Sequence, residues 1–204
     1  MDDREDFRYN LGLGIPKNML GIYLHQVEPK NERQEKLKSL LTELKEKKFN
    51  TLLLIGDTGT GKTYMSQALA NTIIHNASFP EHAALYTTHF EMDLNLKATM
   101  NEGYNGPSEK DCIAKYKMYN LLIIDELGRA QTSDYTMNRI EHIICERMAR
   151  DKRTIIISNK SPEELRAIFD VQMQDRLGIA EGDVKTNPTV RRCLMSGQSL
   201  RGHL

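Results

Sequence analysis

Apolar residues in this chain recur in two rhythms, and the alternation between them sets out a fold. The runs Thr51-Leu52-Leu53-Leu54-Ile55, Leu121-Leu122-Ile123-Ile124-Asp125 and Thr154-Ile155-Ile156-Ile157-Ser158 are almost continuously aliphatic. Such runs predict strands buried on both faces. Between them the spacing changes to that of a helix. Leu37, Leu40, Leu41 and Leu44 form an i, i+3, i+4, i+7 stripe within Asn31 to Lys48. That stripe predicts packing on the chain's own domain, with Glu43 and Lys47 as an i,i+4 ion pair on the outer face. Met65, Leu69 and Ile73 mark a second helix; Met137, Ile140, Ile144 and Met148 mark a long third one. Weaker patterns predict a strand over His82 to Thr88, a helix over Phe90 to Met100 and a short last strand at Cys193-Leu194-Met195. Ser161, Pro162 and Glu164 supply an N-cap, a proline at N1 and a capping-box acid for another helix. Residues 101–110 are polar and turn-rich and read as a loop. Five strands alternating with helices predict an α/β fold, a mostly parallel five-stranded sheet with helices on both faces.

Composition narrows the class. A chain of 204 residues can bury one sizeable core. Its 28 basic and 28 acidic residues cancel, so contact with nucleic acid would have to come from a local patch. The apolar runs are too short to span a membrane. The start, Met1-Asp2-Asp3-Arg4-Glu5-Asp6, is acidic and has no apolar core of a signal peptide, which predicts a cytoplasmic location. Cys112, Cys145 and Cys193 are isolated and odd in number, and the histidines are scattered, so neither disulfides nor a metal cluster are expected. Turn residues Gly12, Gly14 and Pro16 mark an arm over 1–30, which leaves one α/β domain over 31–204.

The first strand leads into Gly56-Asp57-Thr58-Gly59-Thr60-Gly61-Lys62-Thr63, which fits G-x-x-x-x-G-K-[ST]. Strand, glycine loop and helix occur in the order that phosphate binding requires. Glycines let backbone N–H groups converge on phosphate oxygens, and the helix N-terminus adds partial positive charge. The motif assigns Lys62 to the β/γ-phosphates of ATP and the Thr63 hydroxyl to Mg²⁺, with Tyr64 next in the helix and part of the nucleotide cradle.

The third strand ends in Asp125 and Glu126. Two carboxylates closing a buried strand need a partner, since unpaired buried charge is costly. A hydrated Mg²⁺ held by Asp125 beside Thr63 answers that need, and Glu126 is placed to activate water. A GTPase reading fails: Asn159-Lys160-Ser161-Pro162 has proline where an aspartate would read guanine. Asn159, at the end of the neighbouring strand, is instead a candidate sensor of the γ-phosphate or of the lytic water.

The order of Leu121 to Gly128, Thr154 to Asn159, Gln174-Asp175-Arg176-Leu177 and Ser199-Leu200-Arg201-Gly202 resembles the DnaC/DnaI/IstB group of AAA+ ATPases, nearest to DnaC-type helicase loaders. The resemblance spans roughly residues 11 to 204. It implies an AAA+ core and assigns Arg176 as an arginine finger acting in trans, so that hydrolysis depends on a homo-oligomer. It assigns Arg201 as a second sensor, although Leu200 stands where the group has an aromatic residue. The chain ends soon after Arg201, which leaves no room for a helical lid, an absence the group shares. About 50 residues precede the phosphate loop, too few for the separate helicase-gripping domain of such loaders.

The resemblance also implies two partners, a replicative helicase and single-stranded DNA. The DNA-binding segment falls at Thr87, Thr88, His89, Phe90 and Lys97, where Phe90 could stack on a base or be core, and Lys97 could meet a phosphate or be a solvated charge. Lys115, Lys117 and Arg129 add local basic character. Two alternatives share the ATP site: an IstB-type transposition helper, and an ATP-dependent recruitment switch that does not turn over.

Overall fold

Five strands run parallel through the centre of the molecule: β1 (Thr51–Ile55), β2 (Ala84–Thr88), β3 (Leu121–Asp125), β4 (Arg153–Ser158) and β5 (Val190–Leu194), in the order β2-β3-β4-β1-β5. This computed structural model describes residues 13–100, 105–129, 133–181 and 187–196. The α-helices are α1 (Glu32–Lys45), α2 (Lys62–His75), α3 (His89–Ala98), α4 (Glu109–Met118), α5 (Asp134–Ala149), α6 (Pro162–Arg166) and α7 (Val171–Leu177). Crossovers between parallel strands are right-handed. The step from β1 to β2 runs towards one edge, and the steps from β2 to β3, β3 to β4 and β4 to β5 run the other way. This puts α2 on one face and α3 to α7 on the other; α1 packs beside α2. The connections leaving β1 and β4, adjacent strands, therefore diverge to opposite faces. A crevice opens at that point, beyond the C-terminal strand ends, where α/β sheets bind ligands.

The aliphatic runs are buried as their pattern predicts: Leu52, Leu53, Leu54, Leu121 through Ile124, and Ile155 through Ile157 are all essentially inaccessible. The leucine stripe of α1 also faces inward, with Leu37, Leu41 and Leu44 at 0% exposure. Each such leucine contributes about 1.5–3 kcal/mol of burial, which ties α1 to this domain.

Residues 13–27, read from sequence as part of an arm, lie on the same core. Leu13, Ile15, Met19, Leu24 and Val27 are buried in it. The Leu13 carbonyl accepts from Tyr86 N at 2.9 Å and so covers part of the β2 edge. Gly14 follows with φ 74°, and a Cβ there would lie 1.9 Å from the Tyr86 carbonyl oxygen. Asn71 of α2 donates to the carbonyls of Met19 at 2.6 Å and Ile22 at 2.9 Å.

Several local expectations change; the last strand, for one, runs over Val190–Leu194 and not Cys193 to Met195. Helix α1 ends at Lys45, and Lys47 takes a left-handed backbone, φ 61°. Lys47 thus leaves the helical surface that an i,i+4 pair with Glu43 requires. The polar stretch at 101–110 gives way to α4 at Glu109, opened by a Ser108/Asp111 capping box. Strand β2 starts at Ala84, because Pro80–His82 form a 3₁₀ turn.

At the opposite end of the sheet from the crevice, Arg147 is wholly buried. It donates to the carbonyls of Tyr116 and Tyr119, both at 2.9 Å, and to Thr154 Oγ1 at 3.0 Å. Burial, with Arg153 adding repulsion, lowers its pKa to about 9. It joins the α4–β3 connection to α5 and β4.

Candidate nucleotide-binding site

The loop between β1 and α2 is shaped by Gly56, Gly59 and Gly61, with φ of 144°, 82° and 96°. Lys62 opens the helix, and its ammonium lies within the loop. Nζ donates to the carbonyls of Gly56 and Asp57, both at 2.7 Å. Burial lowers the Lys62 pKa, while Asp125 and Asp57 oppose that shift. Thr60 Oγ1 donates to the Asp57 carbonyl at 2.9 Å, bracing the loop from within. Tyr64, one turn into α2, is exposed.

Thr63 Oγ1 donates to Asp125 Oδ2 at 2.7 Å. Residues 62 positions apart thereby bring a hydroxyl and a carboxylate oxygen together. Asp125 is 4% exposed, yet its carboxylate is well satisfied. Oδ2 also accepts from the Tyr86 hydroxyl at 2.9 Å, and Oδ1 accepts from Glu126 N at 2.7 Å. Tyr86 was not singled out from sequence. Burial, reinforced by the Asp125 charge, raises its pKa and keeps the phenol a donor.

The chain turns sharply after Asp125. Glu126 has φ 56°, an uncommon conformation for a residue with a side chain, and such conformations concentrate at functional sites. The turn directs Glu126 away from the strand, where it forms an ion pair with Arg129. Ser158 at the end of β4 holds this turn: its Oγ donates to the Leu127 carbonyl at 2.7 Å, and Leu127 N donates to the Ile157 carbonyl at 2.9 Å.

Thr58, Glu126, Leu127, Arg129, Asn159, Lys160 and Glu164 line one cavity of about 420 Å³. The phosphate loop, the end of β3 and the end of β4 therefore meet around a common space. A second cavity, about 370 Å³, is lined by Thr88, Phe90, Glu126 and Arg129. Glu126 and Arg129 stand between the two.

Other candidates lie apart from this space. Arg176, on α7, is exposed and touches Cys145 Sγ; it does not line either cavity. Arg201 falls outside the described residues. In the segment proposed to meet DNA, Phe90 is 55% exposed and available for stacking. His89 and Thr87 are buried, and Lys97 pairs with Asp93 at 2.7 Å. Lys117 pairs with Glu146 at 3.1 Å. The local basic character predicted there is thus partly neutralised.

The donor set suits a magnesium nucleotide. Hard oxygen ligands from a hydroxyl and a carboxylate converge, beside a glycine loop at a helix N-terminus. No group of three or more His, Cys, Asp or Glu side chains able to hold a metal occurs among the described residues. That pattern differs from an all-protein metal cage, and magnesium is usually held by few protein ligands together with phosphate.

A glycine phosphate loop on β1, with an acidic strand end on β3 and β4 inserted between them, defines an α/β P-loop ATPase domain of AAA+ type. A family model, the bacterial DnaA ATPase domain, matches residues 26–180. The chain belongs to that family. The replicative helicase loader DnaC of Buchnera aphidicola subsp. Baizongia pistaciae is 28% identical over 131 residues, 64% of this chain and 51% of the loader. The chain thus spans about half the length of that curated relative. A crystal structure of the DnaC helicase loader superposes with TM-score 0.62 at 19% identity, covering 88% of this chain and 99% of that one. Replication initiator DnaA, solved with AMPPCP and single-stranded DNA, superposes with TM-score 0.67 at 18% identity, covering 84% of this chain and 49% of that one. These superpositions establish a shared fold. No helix among the described residues is long and apolar enough to cross a membrane.

Proposed function

We propose that this domain binds and hydrolyses ATP with Mg²⁺ and acts in DNA replication as a helicase loader. The observation that carries the reading is the convergence of Thr58, Glu126 and Asn159 on one cavity beside the Thr63–Asp125 pair. The loop from Gly56 to Thr63 would hold the triphosphate. Thr63 and Asp125 would hold Mg²⁺, which when bound neutralises phosphate charge. Glu126 orients a water and takes its proton. Asn159 donates its amide to the γ-phosphate or to that water. Arg176, exposed on α7 and apart from the subunit's own cavity, completes the site of a neighbouring copy.

DNA and helicase enter as proposed partners. The initiator structure contains single-stranded DNA, and the curated relative is a helicase loader. Exposed Phe90 beside the second cavity supports base stacking in this chain. Relatives and structures drawn from loaders and initiators favour replication over the transposition-helper alternative. A cytoplasmic location accords with this role.

One observation supports a second reading, a nucleotide switch without turnover. Glu126 is engaged by Arg129 rather than standing free in the cavity. Steady-state ATPase assays with and without single-stranded DNA separate the two. Stimulated turnover that Glu126→Gln abolishes supports the enzyme; tight ATP binding with no turnover under either condition supports the switch. Affinity capture then tests the partner, with a replicative helicase as the expected prey and a transposase as the result that reverses the assignment.

A further inference from the structure

Gln34 lies in the first turn of α1, outside every motif of the ATP site, yet it is only 5% exposed. Its side chain bridges two segments. Nε2 donates to the Thr60 carbonyl of the phosphate loop at 3.0 Å, and Oε1 accepts from Lys30 N at 2.9 Å. Its backbone N–H is taken by the N-cap side chain of Asn31 at 3.0 Å. The amide is thus held on both sides, which orients it without freedom to flip.

The Thr60 carbonyl belongs to the same planar trans peptide as the Gly61 N–H, and the two groups of such a peptide point in opposite directions. Fixing the carbonyl towards α1 directs the Gly61 N–H away from α1. Gly61 is itself the N-cap of α2, with φ 96°. A Cβ at this position would lie 2.8 Å from Gln34 Nε2. The glycine and the glutamine therefore fit each other, independently of any need of the loop for glycine.

We infer that Gln34 is a positioning residue for phosphate recognition, holding the 60–61 peptide so that its N–H faces the nucleotide. The inference rests on the proposal that the loop binds ATP. It also links the segment at Lys30 and Asn31 to the loop through one side chain.

Gln34→Met tests this, because it keeps the side-chain length, removes both hydrogen bonds and adds no charge near the phosphates. Binding of a fluorescent ATP analogue and of the matching adenosine analogue is measured for wild type and variant at about pH 8, with thermal melting alongside. The expected result is ATP-analogue affinity roughly tenfold below wild type in the folded variant, with adenosine-analogue binding unchanged. Wild-type affinity for the ATP analogue, or an equal loss for both ligands, overturns the inference. Absence of binding by wild type would instead overturn the ATP-site reading. If Gln34→Met does not fold, Gln34→Glu is read in its place: its carboxylate can accept from Lys30 N but cannot donate to Thr60, and wild-type affinity overturns the inference.

Discussion

The hydroxyl of Tyr86 donates to Asp125 Oδ2 at 2.9 Å, the same carboxylate oxygen that Thr63 engages from the other side. A phenol on β2 thereby orients the proposed magnesium ligand on β3. Partners of this kind behind a metal ligand typically change affinity or activity about 10–100-fold. Tyr86→Phe should therefore raise the Mg²⁺ concentration needed for half-maximal ATPase activity within that range, while thermal stability falls only modestly. An unchanged magnesium titration would show that Thr63 suffices to orient Asp125.

Lys62 is nearly inaccessible, with its ammonium on the carbonyls of Gly56 and Asp57. Lys62→Ala should remove the cation proposed to meet the β/γ-phosphates and abolish measurable ATP binding. Calorimetry on the folded variant checks this. Retained tight binding would refute the phosphate assignment of the loop.

Arg176 is exposed and apart from the cavity that Glu126 lines. If it acts in trans, Arg176→Ala and Glu126→Gln should each be inactive alone yet recover turnover when mixed. In the mixed assembly, some sites combine an intact Glu126 from one subunit with an intact Arg176 from its neighbour. No recovery on mixing, with assembly verified by light scattering, would place Arg176 outside the site.

Gly14 combines φ 74° with a contact that leaves no space for a Cβ, 1.9 Å from the Tyr86 carbonyl oxygen. Gly14→Ala should cost at least about 1–3 kcal/mol from backbone strain alone. The steric conflict should also pull Leu13 from the β2 edge. Urea unfolding reads the loss; a change below about 0.5 kcal/mol, the scale of ordinary surface substitutions, would argue against this docking of the segment.

His89 is buried, and its Nδ1 accepts from Gly128 N at 3.3 Å, a role open to the neutral ring. Burial lowers its pKa, with Asp93 opposing and Lys97 reinforcing the shift. As pH falls below about 6.5, the unfolded chain takes up the proton before the folded one does. Stability should thus be full above about pH 6.5 and decline below it until the folded-state value is reached. Each tenfold difference in proton affinity is worth about 1.4 kcal/mol. His89→Gln should flatten this part of the profile in urea midpoints; an unaltered profile would assign the dependence to other groups.

Helix α4 shows where local pattern is insufficient. Its buried face is carried mainly by Cys112 and Tyr116, so the apolar rhythm is faint and the turn-rich stretch ahead of it dominates. The capping pair Ser108 and Asp111 was a readable signal, one that gains force only with a packed face behind it. Lys47 shows the converse: favourable spacing from Glu43 means nothing once the helix has ended.

Sequence alone determined the three aliphatic strands β1, β3 and β4, the glycine loop and the acidic end of β3, because each is written in a few consecutive residues with one physical requirement. Aliphatic runs seek a two-sided core, and converging backbone N–H groups need glycine. Tertiary structure decided which distant residues share a carboxylate, a carbonyl or a cavity. Tyr86 meets Asp125 across 39 positions, and Gln34 reaches Thr60 across 26. Neither residue carries a local signal, since a tyrosine in a strand and a glutamine in the first turn of a helix are ordinary in their own segments. Strand register and the docking of α1 beside α2 bring them to the site, and these follow from how whole elements pack.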